Sequence, residues 1–230
     1  TTDFFPPEIE ALKKYLDKHG KLLLMIDPPA KVDAPQPTSL ITLAHDYGID
    51  VGNDIVVDAS GMGRLIGTDA SVPVAANYPK HPITERFNVI TAYPLARSVV
   101  PVSGGVNGRT AQTFIESGQR SWAEADIKGL LTSGEVSLDE AKGDKAGPVS
   151  MAAAVAVPAA ADPNAKPEDK DAPKPETRVA VVGDADFGTN AVLGIQGNRD
   201  MFMNIVGWLS QQENLISIRP REASDRRITL

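Results

Sequence analysis

The hydrophobic positions of this chain fall into two kinds of run, and the two alternate. The first kind is helical. In "PPEIEALKKYLDKHG", residues 6–20, Ile9, Leu12 and Leu16 recur at three- and four-residue spacing. Two prolines open the stretch, where a helix tolerates a missing N–H, and Gly20 offers a left-handed stop. The second kind is continuous. "KLLLMID", residues 21–27, shows no polar alternation, the mark of a strand covered on both faces.

The same two kinds recur downstream. "SLITLAHDYG" (39–48) reads as a helix ending at Gly48, and "DIVVD" (54–58) as a short strand. "NVITAYPLARSVVPV" (88–102) holds one or two strands broken at Pro94, "TAQTFIESG" (110–118) is extended, and "PVSMAAAVAVP" (148–158) is a buried strand of small residues. "RVAVVGD" (178–184) is the last clear central strand. "NRDMFMNIVGWLSQQ" (198–212) is an amphipathic helix with Met201, Phe202, Ile205, Val206 and Leu209 on one side, and "LISIRP" closes as a short strand. Helices alternating with short, wholly apolar strands predict a doubly wound α/β sheet.

One interval breaks the alternation. Residues 158–177, "PAAADPNAKPEDKDAPKPET", carry five prolines, several charges and no large apolar side chain. This composition predicts a disordered or extended loop. A domain boundary there would leave only about 50 residues after it, near the lower limit for an independent core. The loop is therefore read as joining two strands of a single α/β domain spanning 1–230.

Composition narrows the partners. The formal net charge is -7, so the surface repels phosphate backbones and disfavours nucleic acid. There is no cysteine, which removes disulfides, thiolate metal sites and a cysteine nucleophile. No run of 18 apolar residues occurs, and the opening "TTDFF" lacks the basic start of a signal peptide. That opening suggests a fragment of something longer.

Candidate chemistry gathers around "VAVVGDADFGTN", residues 179–190. In open α/β sheets, ligands sit beyond the carboxyl ends of strands. Asp184 and Asp186 fall there, with Asp27 at the end of another predicted strand. Two carboxylates so spaced offer oxygen ligands to Mg²⁺, which makes a divalent-metal-dependent hydrolase one reading. The Asp-x-Asp opening also resembles that of haloacid-dehalogenase-type phosphatases, but only 44 residues follow Asp186, too few for the rest of such a site. The other reading is that Asp186 and Asn190 satisfy orphan N–H groups of the loop and the next helix. "GMGRLIG" (61–67) departs from the dinucleotide fingerprint, because its third glycine is displaced and no helix can run on through Pro73; it reads as a flexible loop. Of three histidines, His81 sits between Pro79 and Pro82 in a stiff loop and is the candidate functional one. With only Trp122 and Trp208 to stack on sugars, a glycan-binding module is the weaker alternative.

Several pieces resemble, in this order, a known family. They are "LKKYLDKHGKLLLMIDP", "LAHDYGIDVGNDIVVD", "YPKHPIT", "YPLARSV", "RVAVVGDADFGTN", "GNRDMFMNIVGWLSQQENLISIRP" and "DRRITL". The set resembles the soluble region of auxiliary components of uncharacterised ABC-type transport systems, the group that includes the gliding-motility-associated ABC auxiliary protein. The resemblance implies a three-layer Rossmann-like domain, glutamine-amidotransferase-like or intraflagellar-transport-like, with a mostly parallel sheet. It implies a membrane-tethered protein whose soluble part is extracytoplasmic (periplasmic), anchored by helices outside this fragment. The basic tail "IRPREASDRRITL" fits a juxtamembrane segment. The implied role is a non-enzymatic accessory subunit working with ABC permease and ATPase subunits, with no cofactor, no metal and no catalytic residue to carry over. The expected ligand or partner face comprises Asp27, His81, Asp184, Asp186 and Asn190.

Overall fold

A computed structural model describes residues 2–159 and 174–212. Helix α1 spans Pro6–Leu16, and the Glu8 carboxylate accepts from the Phe5 N–H at its start. The left-handed residue after it is His19 (φ 61°), not Gly20 as expected. Gly20 is needed for another reason: a Cβ there would fall 2.5 Å from the Tyr15 ring. Strand β1 (Lys21–Met25) comes next, then α2 (Thr38–Asp46), which Gly48 terminates at φ 78°.

Strands β2 (Ile49–Val51) and β6 (Val99–Pro101) form a two-stranded ribbon, and β4 (Val74–Ala75) and β5 (Thr91–Ala92) form another. Strand β3 (Ile55–Asp58) is the predicted "DIVVD" run. It belongs to a three-stranded sheet with β8 (Ser121–Glu124) and β9 (Lys145–Ala146). Between β3 and β4 the glycine-rich segment carries a short helix, α3 (Met62–Leu65), entered through Gly61 at φ 79°. The expected loop is thus partly helical. A further helix, α4 (Ile127–Ser133), is capped by Asp126.

The central sheet has the order β1-β11-β10-β7, with β7 at Gln112–Glu116, β10 at Ser150–Pro158 and β11 at Glu176–Val182. Here the expectation of a mostly parallel, Rossmann-like sheet is corrected. Only β1 and β11 run parallel; β10 is antiparallel to both neighbours, as are all pairs described in the smaller sheets. The apolar pattern misled for a physical reason. It reports burial on both faces, and an antiparallel hairpin covered on both faces leaves the same signature. Alternate residues of β11 feed two cores: Ala180 and Val182 pack with Phe114, Met201 and Trp208, whereas Val179 and Val181 pack with Leu16, Leu40 and Leu43.

Strands β10 and β11 pair from Ala152↔Val182 to Pro158↔Glu176, so the proline-rich interval does join two strands of one sheet. Residues 160–173 of that interval lie outside the described residues, as do the predicted strand "LISIRP" and the basic tail. After β11 come α5 (Asn190–Leu193) and α6 (Asn198–Leu209). Helix α6 buries Met201, Ile205, Trp208 and Leu209; Val206 is exposed, and Trp208 takes the core position expected of it.

Candidate functional site

The site is built where β1 and β11 end. Because the pair is parallel, Met25 and Val182 stand side by side, and both chains leave the sheet at the same edge. Gly183 is the next residue. A Cβ there would lie 2.1 Å from the Arg97 carbonyl oxygen, so only glycine fits. The Gly183 carbonyl accepts from the Arg97 N–H at 2.8 Å, tying the strand end to the segment before β6.

Asp184 comes next and is fully buried. Its Oδ1 accepts from the Phe187 N–H at 3.1 Å, and its Oδ2 has no hydrogen-bond partner. Burial pushes this carboxyl up to about 8, with the charges of Asp186 and Asp27 adding and the N–H groups of Phe187 and Asp186 opposing. The half-buried Asp27 holds the turn from the other strand: its Oδ1 accepts from the Ala185 N–H at 2.6 Å. Asp186 and Asn190 are exposed, Asp186 in a 3-10 turn over Asp186–Gly188 and Asn190 at the start of α5. The turn seats Phe187 under the surface, where its ring stacks on Tyr93 at 5.1 Å and meets Phe202 at 6.1 Å.

Four of the five expected residues are therefore together. His81 is not. It lies by the opposite end of β11, its ring 5.3 Å from Trp208 and 5.5 Å from Phe114. The Arg178 guanidinium that stands over Trp208 is four residues before Val182, about 13 Å along the strand. The His81 Nδ1 accepts from the Ile83 N–H at 3.1 Å and caps the 3-10 turn Pro82–Thr84. Burial, helped by the Arg178 charge, pushes the imidazole down to about 4, so it is neutral at pH 7. Its stiff proline-flanked loop is a packing element of the α6 face.

Two residues of this region were missed at the level of sequence. Arg97 is fully buried and acts as a hub. Its Nε donates to Gly52 O at 2.6 Å, Nη1 to Asp27 O at 3.0 Å and Nη2 to Gln36 Oε1 at 2.9 Å. Burial lowers its affinity for the proton, and the carboxylates of Asp54 and Asp27 oppose that. Asp54 is itself held by the N–H and hydroxyl of Ser98. The signal was present: an arginine inside the apolar run "VITAYPLARSVVPV" is a cation that folding must bury and bond. Asn198 is the second. Its amide pairs with both backbone groups of Ala92, at 2.9 and 2.8 Å, as a strand neighbour would. Nothing in its sequence context marks it.

Chemically, the carboxylates here order backbone. Asp27 and Asp184 each take an N–H of the turn, the part expected of Asp186 and Asn190. Among the described residues no group of three or more His, Asp or Glu is arranged to hold a metal ion. Nor is any helix there long and apolar enough to cross a membrane.

The family described as "ABC-type uncharacterized transport system", an ABC transport auxiliary family, matches residues 1–206. The chain belongs to this family. No curated protein sequence matches it. Among solved structures, the ABC-transport auxiliary domain resembles the "mmIFT52 N-terminal domain" with a TM-score of 0.56 and 16% identity, over 91% of this chain and 73% of that one. At that identity the likeness concerns the fold alone, and it agrees with the expectation of an intraflagellar-transport-like domain.

Proposed function

We propose that the protein is a non-enzymatic accessory subunit of an ABC-type transport system that binds a partner through the strand-end face of Asp27, Asp184, Asp186 and Asn190. Family membership supports the transport role. One geometric observation supports binding over chemistry: the inner acids of this face each brace the turn through a backbone N–H, Asp27 through that of Ala185 and Asp184 through that of Phe187, while Asp186 and Asn190 are exposed. A face so built presents a shaped, acid-rimmed surface instead of a reactive group. The proposed setting is extracytoplasmic, tethered by membrane helices beyond these residues, so the partner met by this face is the permease, and the ATPase subunit is reached through it.

The chain has no cysteine, so single cysteines can report proximity without background. Asp186→Cys and Asn190→Cys, treated in native membranes with a short thiol-reactive crosslinker, are expected to capture the permease subunit, whereas capture of the ATPase subunit overturns the extracytoplasmic setting. Lys142→Cys, exposed on the 3-10 turn Glu140–Lys142, serves as the control. Equal capture from all three positions, or capture from Lys142→Cys alone, overturns the assignment of the face.

A further inference from the structure

We propose that the turn Asp184–Gly188 is a proton-operated latch on the strand-end face, closed over Phe187 while Asp184 is neutral and released when that carboxyl ionises.

The argument begins with an unmet bond. Asp184 is fully buried, yet its Oδ2 touches no hydrogen-bond partner. A neutral carboxyl tolerates that position; a carboxylate there forfeits its hydration without full replacement. The N–H groups of Phe187 and Asp186 favour the charge, but the side chains facing it do not. Asp27 comes from the end of β1 and Asp186 from the same turn, and both are acids. Directly after β5 comes Tyr93, buried, its hydroxyl bonded to Thr91 Oγ1 and made less acidic by burial, by Tyr78 and by the Asp184 charge. Arg97 lies beneath Gly183, but its guanidinium is turned to Gly52, Asp27 and Gln36.

The turn is held by short-range bonds. Ala185 N–H reaches Asp27, Phe187 N–H reaches Asp184, Gly188 N–H reaches Ala185 O at 3.3 Å, and the N–H and hydroxyl of Thr189 reach Asp186 O at 2.8 and 2.7 Å. The Phe187 ring adds an apolar anchor between Tyr93 and Phe202. A carboxylate that gains water by swinging out therefore carries Phe187 with it, because the two are joined through the Asp184–Phe187 bond. Release would replace a sealed apolar seat with an exposed aromatic ring beside Asp186 and Asn190. The latch stands or falls on this turn, whether or not a partner binds the face.

Amide exchange over residues 183–190, followed by mass spectrometry from pH 5 to 9 and corrected for intrinsic rate, tests it. Asp184 takes up its charge near pH 8 in the closed turn and near the ordinary ~3.9 once the turn is open, so protection falls by up to tenfold per pH unit between those values and levels off above pH 8. Asp184→Asn keeps an acceptor for Phe187 N–H and cannot ionise, so its protection is expected to stay level. Asp186→Asn, at an exposed position, removes one of the charges that disfavour ionisation in the closed turn, so protection is expected to level off at a lower pH than in the wild type. Level protection in the wild type, or an equal fall in Asp184→Asn, overturns the latch. Should Asp184→Asn fail to fold, an Asp186→Asn protection curve that levels off at or above the wild-type pH overturns it instead.

Discussion

Burial of His81 between Phe114 and Trp208 makes acid sensitivity a property of a single side chain. In the fold its imidazole titrates at about 4; in the unfolded chain it takes a proton near pH 6.5. Between those values the unfolded state binds more protons at this residue, so the His81 contribution to stability rises with pH across that window and is complete above it, while the Asp184 contribution runs the other way. His81→Asn retains an acceptor for the Ile83 N–H without a titrating ring. Relative to its own pH 7 value, the urea midpoint at pH 4.5 should be higher for this variant than for the wild type; an unchanged ratio places the acid sensitivity elsewhere. Arg97 acts at the same scale. Its removal strands the carbonyls of Gly52 and Asp27, and Arg97→Met is expected to cost about 2–4 kcal/mol by urea denaturation. Arg97→Lys should recover little, since one ammonium cannot reach three separated acceptors. Gly183→Ala drives a methyl into the Arg97 carbonyl and should cost on the order of 3 kcal/mol, read the same way.

Helices and strands were easier to read than their partners. The periodicity that marked α1, α2 and α6 comes from one buried stripe each, and the structure keeps all three. Errors arose where burial depends on neighbours. Val206 and Trp208 are two residues apart on α6, and only the position of the sheet decides which turns inward. Strand β8 went unread because "SWAE" carries a charge and a serine; both are buried by local bonds, Glu124 to the Trp122 indole N–H and Ser121 to the Ser117 hydroxyl. Strand β1 shows a further local device. Arg178 N–H donates to Gly20 O and Ile26 N–H to Val182 O, so Lys21 turns its backbone groups away from β11. The Tyr15 hydroxyl bonds both of them, at 3.0 and 3.2 Å. Tyr15→Phe should therefore cost about 1 kcal/mol in thermal or urea unfolding, with the loss centred on α1 and β1. Unchanged stability would mean that water replaces the hydroxyl without penalty.

For the whole molecule, the class of fold was legible and the strand directions were not. Continuous apolar runs reported two covered faces, and the two cores flanking β10 and β11 are those faces. Direction is set by connections, and the connection between β10 and β11 was visible only as a proline-rich interval of unspecified geometry. The strand-end grouping of Asp27, Asp184 and Asp186 was legible because two parallel strands deliver their last residues to one edge. His81 was wrongly grouped with it because sequence offers no measure of which end a loop covers. Membership of the ABC transport auxiliary family rests on a match over residues 1–206, and it was legible in the sequence through the order of many weak motifs. One consequence concerns the order in which the chain is made. Lys21 is paired with Arg178, 157 residues later, and β11 lies between β1 and β10. At about 5–20 residues per second, the ribosome leaves "KLLLM" without its strand neighbour for roughly 8–30 s. Until then an apolar segment waits beside a half-built sheet, which makes the newborn chain a natural client for a holding chaperone.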